Sequence, residues 1–326
     1  MDFIDQLLLF VALPVVVVIS LIEAVVLARR QRYDWRAAGI SMIDLVARVA
    51  IQIVLPLSIA TPLLRYAYQH RLTTIRLEQM AFGEALLLGV LLFVGQEFCY
   101  YWFHRASHRV RWFWANHAVH HSPNELNLSA AYRIGVLSKF SGTALFFVPL
   151  VWIGFSPKLV FQLLQLNLLY QFWIHATWIP KLGWLEYVLN TPSAHRVHHA
   201  ANLDYLDGNY GGVLIVFDRL FGTYIAERDD LPCRYGLVKP VQGYNLLRIE
   251  FAQWAAMLGD VVRAKSLRAA LGYVLMPPGW RPADGSEGAG ETTEDMRRHA
   301  RDARAPTQRG AEAGRVGASA GLGAAD

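Results

Sequence analysis

Two cysteines, Cys99 and Cys233, are all this chain has. Neither sits in a CxxC pattern, which excludes a disulfide framework and a cysteine metal knot and leaves both as reduced structural residues. Charge is also scarce. Asp, Glu, Lys and Arg make up 17% of the residues, below the roughly one quarter usual in soluble domains. Apolar residues reach 54% and the mean hydropathy is +0.25, a membrane-protein composition. The formal charge of +5 is modest, and no basic cluster is interleaved with aromatics, so nucleic acid is not an expected partner. No Gly-rich dinucleotide fingerprint follows a strand pattern, and no HExxH helix is present. Met1 to Gln6 carries Asp2 and Asp5 rather than a basic leader, so a cleavable signal peptide is not expected and the first apolar segment should stay in place.

Histidine is abundant by contrast, and concentrated. Nine of the 11 histidines lie between His104 and His199. They are His104 and His108; His117, His120 and His121; His175; and His195, His198 and His199. The first pair is His-x3-His, and the triplets HAVHH and HRVHH are both His-x2-His-His. Spacings of three and four return to one helix face, so each box can aim its imidazoles at one spot. Adjacent histidines diverge by about 100°, which lets one box serve two neighbouring metals. Imidazole suits iron, zinc, copper and nickel alike. Nine candidate ligands exceed the roughly four of a structural zinc centre, and shared between two irons they leave open positions for dioxygen.

An all-α, polytopic membrane protein is predicted, with about four transmembrane helices under a histidine-rich helical cap. Leu7 to Ala28 is the first candidate span, long enough to cross at helical rise. Ile40 to Leu64 is the second, with Asp44, Arg48 and Gln52 at four-residue spacing and expected to face inward. Phe82 to Phe103 is the third and runs straight into the first histidine box through an aromatic belt or a packed aromatic core. Leu145 to Phe155 and Leu159 to Trp173 form an apolar hairpin, its first arm short enough to be re-entrant. Arg29, Arg30, Arg32, Arg36, Arg105, Arg109, Arg111, Arg133 and Lys139 outnumber Arg65, Arg71, Arg76 and Lys158 on the opposite side, which puts the cap in the cytoplasm.

The domain plan that follows is 1–81, N-terminal spans; 82–240, the histidine-box domain; 241–280, an amphipathic C-terminal region; and 281–326, a tail. Val213 to Phe217 reads as strand or buried helix. Tyr244 to Arg268 has apolar residues at helical spacing and is expected either on the membrane surface or packed on the cap. After Trp280 no aromatic remains, so the tail is expected to be disordered and His299 without a role.

HRASH, HAVHH and HRVHH, with HHSPNELNLS, FWIHATW, NTPSAHRVHH and YLDGNYGGVLIVFDRLFGTY around them, resemble the fatty acid hydroxylase and sterol desaturase superfamily of membrane di-iron enzymes. The likeness is strong from about Phe82 to Thr223; YGLVKP and MPPGW are similar to a bacterial branch that also resembles alkylglycerol monooxygenases. It implies a four-helix membrane core under a cytosolic cap and two iron ions held by the nine histidines. It also implies oxidation of a lipid C–H bond, hydroxylation or desaturation, with O2 and two electrons. Where some members carry a further histidine, one turn before His175, this chain has Gln171, a candidate to hold a metal-bound water. Asn127, Asn190, Asp204, Asp207, Asn209 and Asp218 are candidates to brace the ligands through their ring N–H groups, although turns and caps explain the same residue types. Electrons would come from a separate donor, a ferredoxin, rubredoxin or small cytochrome with its reductase, or from a reduced pterin. The rival readings are a zinc-dependent membrane hydrolase, which lacks its HExxH, and a metal or proton transporter, whose ligands would lie near mid-membrane.

Overall fold

The computed structural model describes residues 3–55, 58–282 and 291–304. Among them the regular structure is helical, broken only by isolated bridges pairing Leu189 with Leu214 and Ala200 with Tyr235. Among the described residues three helices are long and apolar enough to cross a bilayer: α1 (Phe3–Arg29), α2 (Trp35–Val54) and, after the short α3 (Thr61–Gln69), α4 (Phe82–Arg109). The chain is an all-α polytopic membrane protein.

Local chemistry sets the boundaries. In α1 a wide turn at Leu7–Ala12, with Leu13 N–H reaching Leu8 O, precedes Pro14. Proline has no N–H and its ring crowds the carbonyl four residues back, and a wide turn relieves that crowding. The second span starts earlier and ends sooner than Ile40 to Leu64. Asp34 caps α2 by accepting from Arg36 and Ala37 N–H at 2.9 and 3.0 Å, and the chain re-enters helix at Thr61 with proline in its first turn. Asp44 is fully buried and Arg48 partly so, but Gln52 faces outward, against the expected inward stripe.

The core that supports the site lies where α4 meets the apolar hairpin of α6 (Val148–Ile153) and α7 (Pro157–Trp173). Leu92, Cys99 and Tyr100 pack there against Phe147, Leu150, Val151 and Val160. The hairpin turns at Gly154, whose φ of +143° admits no ordinary side chain and whose Cβ position lies 2.6 Å from Thr73 O. Ser156 then caps α7. Of the belt aromatics, Tyr100 and Tyr101 are buried while Phe98 and Trp102 face out, so one helix serves both readings.

The cap consists of α5 (Arg111–His120), α8 (Pro192–His198), α9 (Val216–Leu220), α10 (Leu246–Arg263) and α11 (Leu267–Leu275). The Val213 to Phe217 run resolves into a bridge residue, Leu214, followed by the start of α9. The amphipathic region is two helices rather than one. It packs on α5 through the buried Arg111–Asp260 ion pair at 2.7 Å and a Trp112–Trp254 edge contact. The tail needs correction as well: Thr293–Arg304 forms α12. Thr292 and Asp295 cap each other, and Arg297 donates to Leu206 O at 2.6 Å. Polar ties at its start do for this segment what its sparse apolar residues could not. Residues 283–290 and 305–326 of the expected tail lie outside the described residues.

Candidate metal centre

Each histidine box falls at the end of a helix. His104 and His108 occupy the last turns of α4. His117 and His120 close α5 with His121 at its C-cap, and His195 and His198 close α8 with His199 in the same place. Thr191 and Pro192 start α8, which is wholly buried. His175 follows α7 directly.

These ends converge. His104, His108, His117, His121 and His198 form one group, and His120, His175, His195 and His199 a second, with one ring nitrogen of every member within 4.8 Å of those of its group. Neither group includes a carboxylate or thiol. The groups adjoin, with the His121 and His199 rings stacked at 4.4 Å and those of His120 and His199 at 4.6 Å. HAVHH and HRVHH are each divided between the two groups, as the angular divergence of neighbouring residues permits.

The nitrogens face one another. Nε2–Nε2 separations are 3.1 Å for His104 with His117, 3.2 Å for His117 with His121, and 3.1 Å for both His175 with His195 and His195 with His199. Backbone carbonyls hold the opposite ring edge in four cases. Nδ1–H of His104 donates to Tyr210 O at 2.9 Å, His120 to Arg133 O at 2.8 Å, His175 to Gln171 O at 2.8 Å and His198 to Gly208 O at 3.0 Å. That fixes the tautomer and leaves Nε2 as a bare lone pair aimed into the group. His108 Nε2 and His198 Nε2 are buried without any protein partner. Ligand nitrogens about 2.1 Å from one ion stand about 3.0 Å apart at right angles and about 3.4 Å apart at tetrahedral angles, which brackets the observed spacing. A cation fits both groups.

Electrostatics agree. Burial, reinforced by neighbouring imidazoles, holds His117, His121, His195, His198 and His199 well below the ordinary histidine range. Burial takes His120 down to about 4 and His175 to about 3. All are neutral near pH 7, the form that binds metal.

The bracing residues divide. Asp218 is buried and accepts from Tyr210 N–H, Gly211 N–H and Thr223 Oγ1, each at 2.7 Å. It thereby fixes the carbonyl that holds His104. Asn209, with φ of +58°, donates to Ala194 O and Ile225 O and accepts from Ile225 N–H, so it steadies the loop whose Gly208 carbonyl holds His198. Asn190 Nδ2 donates to Gly211 O at 2.7 Å. The remaining candidates do other work. Asn127 caps a short 3-10 turn by accepting from Ser129, Asp204 is exposed, and Asp207 pairs with Arg109 at 3.1 Å. Gln171 presents only its carbonyl to His175; its side chain accepts from Tyr100 Oη and donates to Asn167.

Two residues escaped the sequence reading. Glu97 is buried in α4 and accepts from Val213 and Leu214 N–H at 2.8 Å, anchoring the Gly-rich loop to the span. An acid inside an apolar helix was the available signal. Arg133 supplies the carbonyl for His120 while its guanidinium donates to Ser41, Ser122 and Ala37 O. It had been counted only as loop charge.

Two cavities flank the groups. An apolar groove of about 410 Å³ runs between α1 and the end of α7, lined by Val11, Val15, Ile19, Phe172 and Ala176 among others. Phe172 and Ala176 bracket His175 in sequence. A polar cavity of about 1190 Å³ reaches His108, His121 and His198 from the side of Trp280 and α12.

Helix ends bearing only imidazole, gathered beside membrane-spanning helices, define the class as a polyhistidine membrane protein with two adjoining candidate metal sites. Residues 89–223, the segment that carries all nine of these histidines, match the fatty acid hydroxylase family model. Over 193 residues the chain is 42% identical to alkylglycerol monooxygenase of Danio rerio, covering 59% of this chain and 42% of that protein. Over 205 residues it is 40% identical to alkylglycerol monooxygenase of Homo sapiens, covering 63% and 45%. It is 27% identical over 147 residues to the ornithine lipid hydroxylase OlsE of Rhizobium tropici, covering 45% and 44%. The chain thus spans less than half the length of these relatives. No solved structure matches.

Proposed function

We propose that this chain is a membrane-bound oxidoreductase that hydroxylates or desaturates an aliphatic C–H bond of a lipid, using O2 and two electrons at a di-iron centre. One observation carries the reading: two adjoining groups of buried, neutral imidazoles, five and four, stand at the spacing of ligands around a single ion in each. Imidazole alone does not select iron; the names of the relatives, monooxygenases and a lipid hydroxylase, support oxygenase chemistry on a lipid, and iron is the metal proposed for it. His104, His108, His117, His121 and His198 would hold one iron, and His120, His175, His195 and His199 the other. The pair would supply oxidising power for a C–H bond that no side chain here can attack.

The protein's own part is geometry. Carbonyls of Tyr210, Arg133, Gln171 and Gly208 hold four rings so that their free nitrogens point inward, and Asp218 and Asn209 keep two of those carbonyls in place. The groove between α1 and α7 gives a hydrocarbon chain a dry approach to the His175 side, whereas the polar cavity admits water-soluble species to the His108 side. Hydroxylation consumes C–H, O2, two electrons and two protons and yields C–OH and water, so an electron donor is required. A ferredoxin, rubredoxin or small cytochrome serves in that role, as does a reduced pterin. The cations from Arg29 to Arg36 and from Arg105 to Lys139 support a cap on the cytoplasmic side.

The test uses full-length protein purified into nanodiscs under reducing conditions. Two irons per chain, and reductant-dependent O2 uptake on adding membrane lipid with a product heavier by one oxygen or lighter by two hydrogens, are expected. Zinc in place of iron with hydrolysis in the absence of O2 would overturn the proposal.

A further inference from the structure

Helix α10 buries its two acids and leaves an apolar stripe outside. Its acids, Glu250 and Asp260, are buried: Glu250 accepts from Val136 N–H at 3.0 Å and lies against Asp44, and Asp260 pairs with Arg111. Ile249, Trp254 and Met257 pack inward with them, but a second set of large apolar residues faces the surroundings, with Leu247, Phe251, Leu258 and Val262 exposed and Val262 at 84%. Together with the exposed Ala255 they form one stripe at helical spacing. The stripe continues on α11 through Leu267, Leu271 and Leu275. Exposed cations, Arg248 at one end and Arg263, Lys265 and Arg268 near the hairpin turn, flank it.

A helix washed by water shows the opposite pattern, and isolated exposed apolar side chains need no explanation whereas a contiguous apolar face does. The hairpin also starts beside a span. Tyr244 Oη donates to Asp34 at 2.7 Å at the head of α2, and Ile249 packs with Ile40. The outward face of α2 is apolar too, with Met42, Ile43 and Val46 exposed.

We propose that the α10–α11 hairpin is embedded in the bilayer beside α2, its apolar stripe in hydrocarbon and Arg248, Arg263, Lys265 and Arg268 among the phosphate head groups. Acids turned inward and cations at the rim are what such a medium selects. Because α10 packs along α5, which carries His117 and His120, the hairpin holds the metal-bearing cap down against the membrane.

The test is photolabelling of the unmodified protein in phosphatidylcholine–phosphatidylglycerol nanodiscs with a lipid bearing a diazirine in its acyl chain. Phe251, Leu258, Val262 and Leu271 are expected to label as strongly as Leu86, Leu87 and Leu91 of α4, and at least about tenfold above the exposed cap residue Arg234. Labelling of the hairpin at the level of Arg234 overturns the proposal. A second measurement separates the ways of failing. Nitroxides at Leu258→Cys and Val262→Cys should collide more often with O2 than with a neutral nickel chelate. Preference for the chelate means that the stripe lies in water, and loss of both collisions with dipolar broadening between chains means that a second copy covers it; either result also overturns the proposal.

Discussion

The five-histidine and four-histidine groups share α5 and α8, the first adding the end of α4 and the second the end of α7, and they differ in what borders them. Three members of the first, His108, His121 and His198, line a polar cavity, and two of them keep a buried Nε2 with no partner. No member of the second lines either cavity; the groove touches only Phe172 and Ala176 around His175. One group therefore opens onto a polar cavity, whereas the other is closed off from both cavities and has only two neighbours of His175 in the apolar groove. The two groups thus differ in access as well as in number of imidazoles, five against four.

Removing one ligand from each group tests that division most severely. His108→Ala and His195→Ala are each expected to lower turnover by well over about a hundredfold, beyond the 10- to 100-fold typical of losing an outer partner. Metal analysis should show each variant retaining the ion of the other group. Loss of both ions from either variant would mean that the groups act as one site.

Asp218→Asn is the next step down. It weakens the hold on Tyr210 and Gly211, and so on His104, and metal affinity of the five-histidine group alone should fall about 10- to 100-fold. Competitive chelation, followed separately for the two ions, checks it.

The pH dependence of the metal-free protein has a definite sign. His120 and His175 titrate at about 4 and about 3 in the folded chain, below about 6.5 in the unfolded chain. The unfolded state therefore takes up protons first as pH falls. Stability is complete above about pH 6.5 and declines below it, toward about pH 4, by at most about 1.4 kcal/mol per pH unit for each group. Thermal melts at pH 7.5, 6 and 5 with and without metal measure this, and bound metal should raise stability without changing the slope between about pH 6.5 and 5, because the protons there are taken up by the unfolded chain.

Val15→Trp is expected to have the smallest effect. It fills the apolar groove without touching a histidine, so iron content should be unchanged while turnover of long-chain lipids falls several-fold, at the scale of a few misplaced methylenes. Equal loss for short and long chains would remove the groove from the substrate path.

What could be read along the chain was local. Three- and four-residue histidine spacing is a helical property, and it singled out eight of the nine residues that the fold gathers; His175 stands in no box. Apolar runs located the spans for the same reason, since hydrocarbon must be matched residue by residue. Prediction by residue type fared less well for bracing groups. Asn127, Asp204 and Asp207 have suitable side chains but sit on other business, whereas the direct partners of His104, His120, His175 and His198 are carbonyls, which every residue possesses and no sequence marks. The docked α12 was missed because its apolar content is low and its ties are a reciprocal cap and an arginine reaching distant carbonyls.

The sequence by itself determined an all-helical membrane chain with imidazoles at helix ends, because periodicity and hydropathy act over a few neighbouring residues. Only the tertiary structure decided that five and four of them divide into adjoining groups, which carbonyls hold them, and that α10 turns its acids inward. Those outcomes depend on contacts between segments up to about a hundred or more residues apart, as between His104 and Tyr210 or Asp44 and Ile134, and burial is a property of the assembled chain.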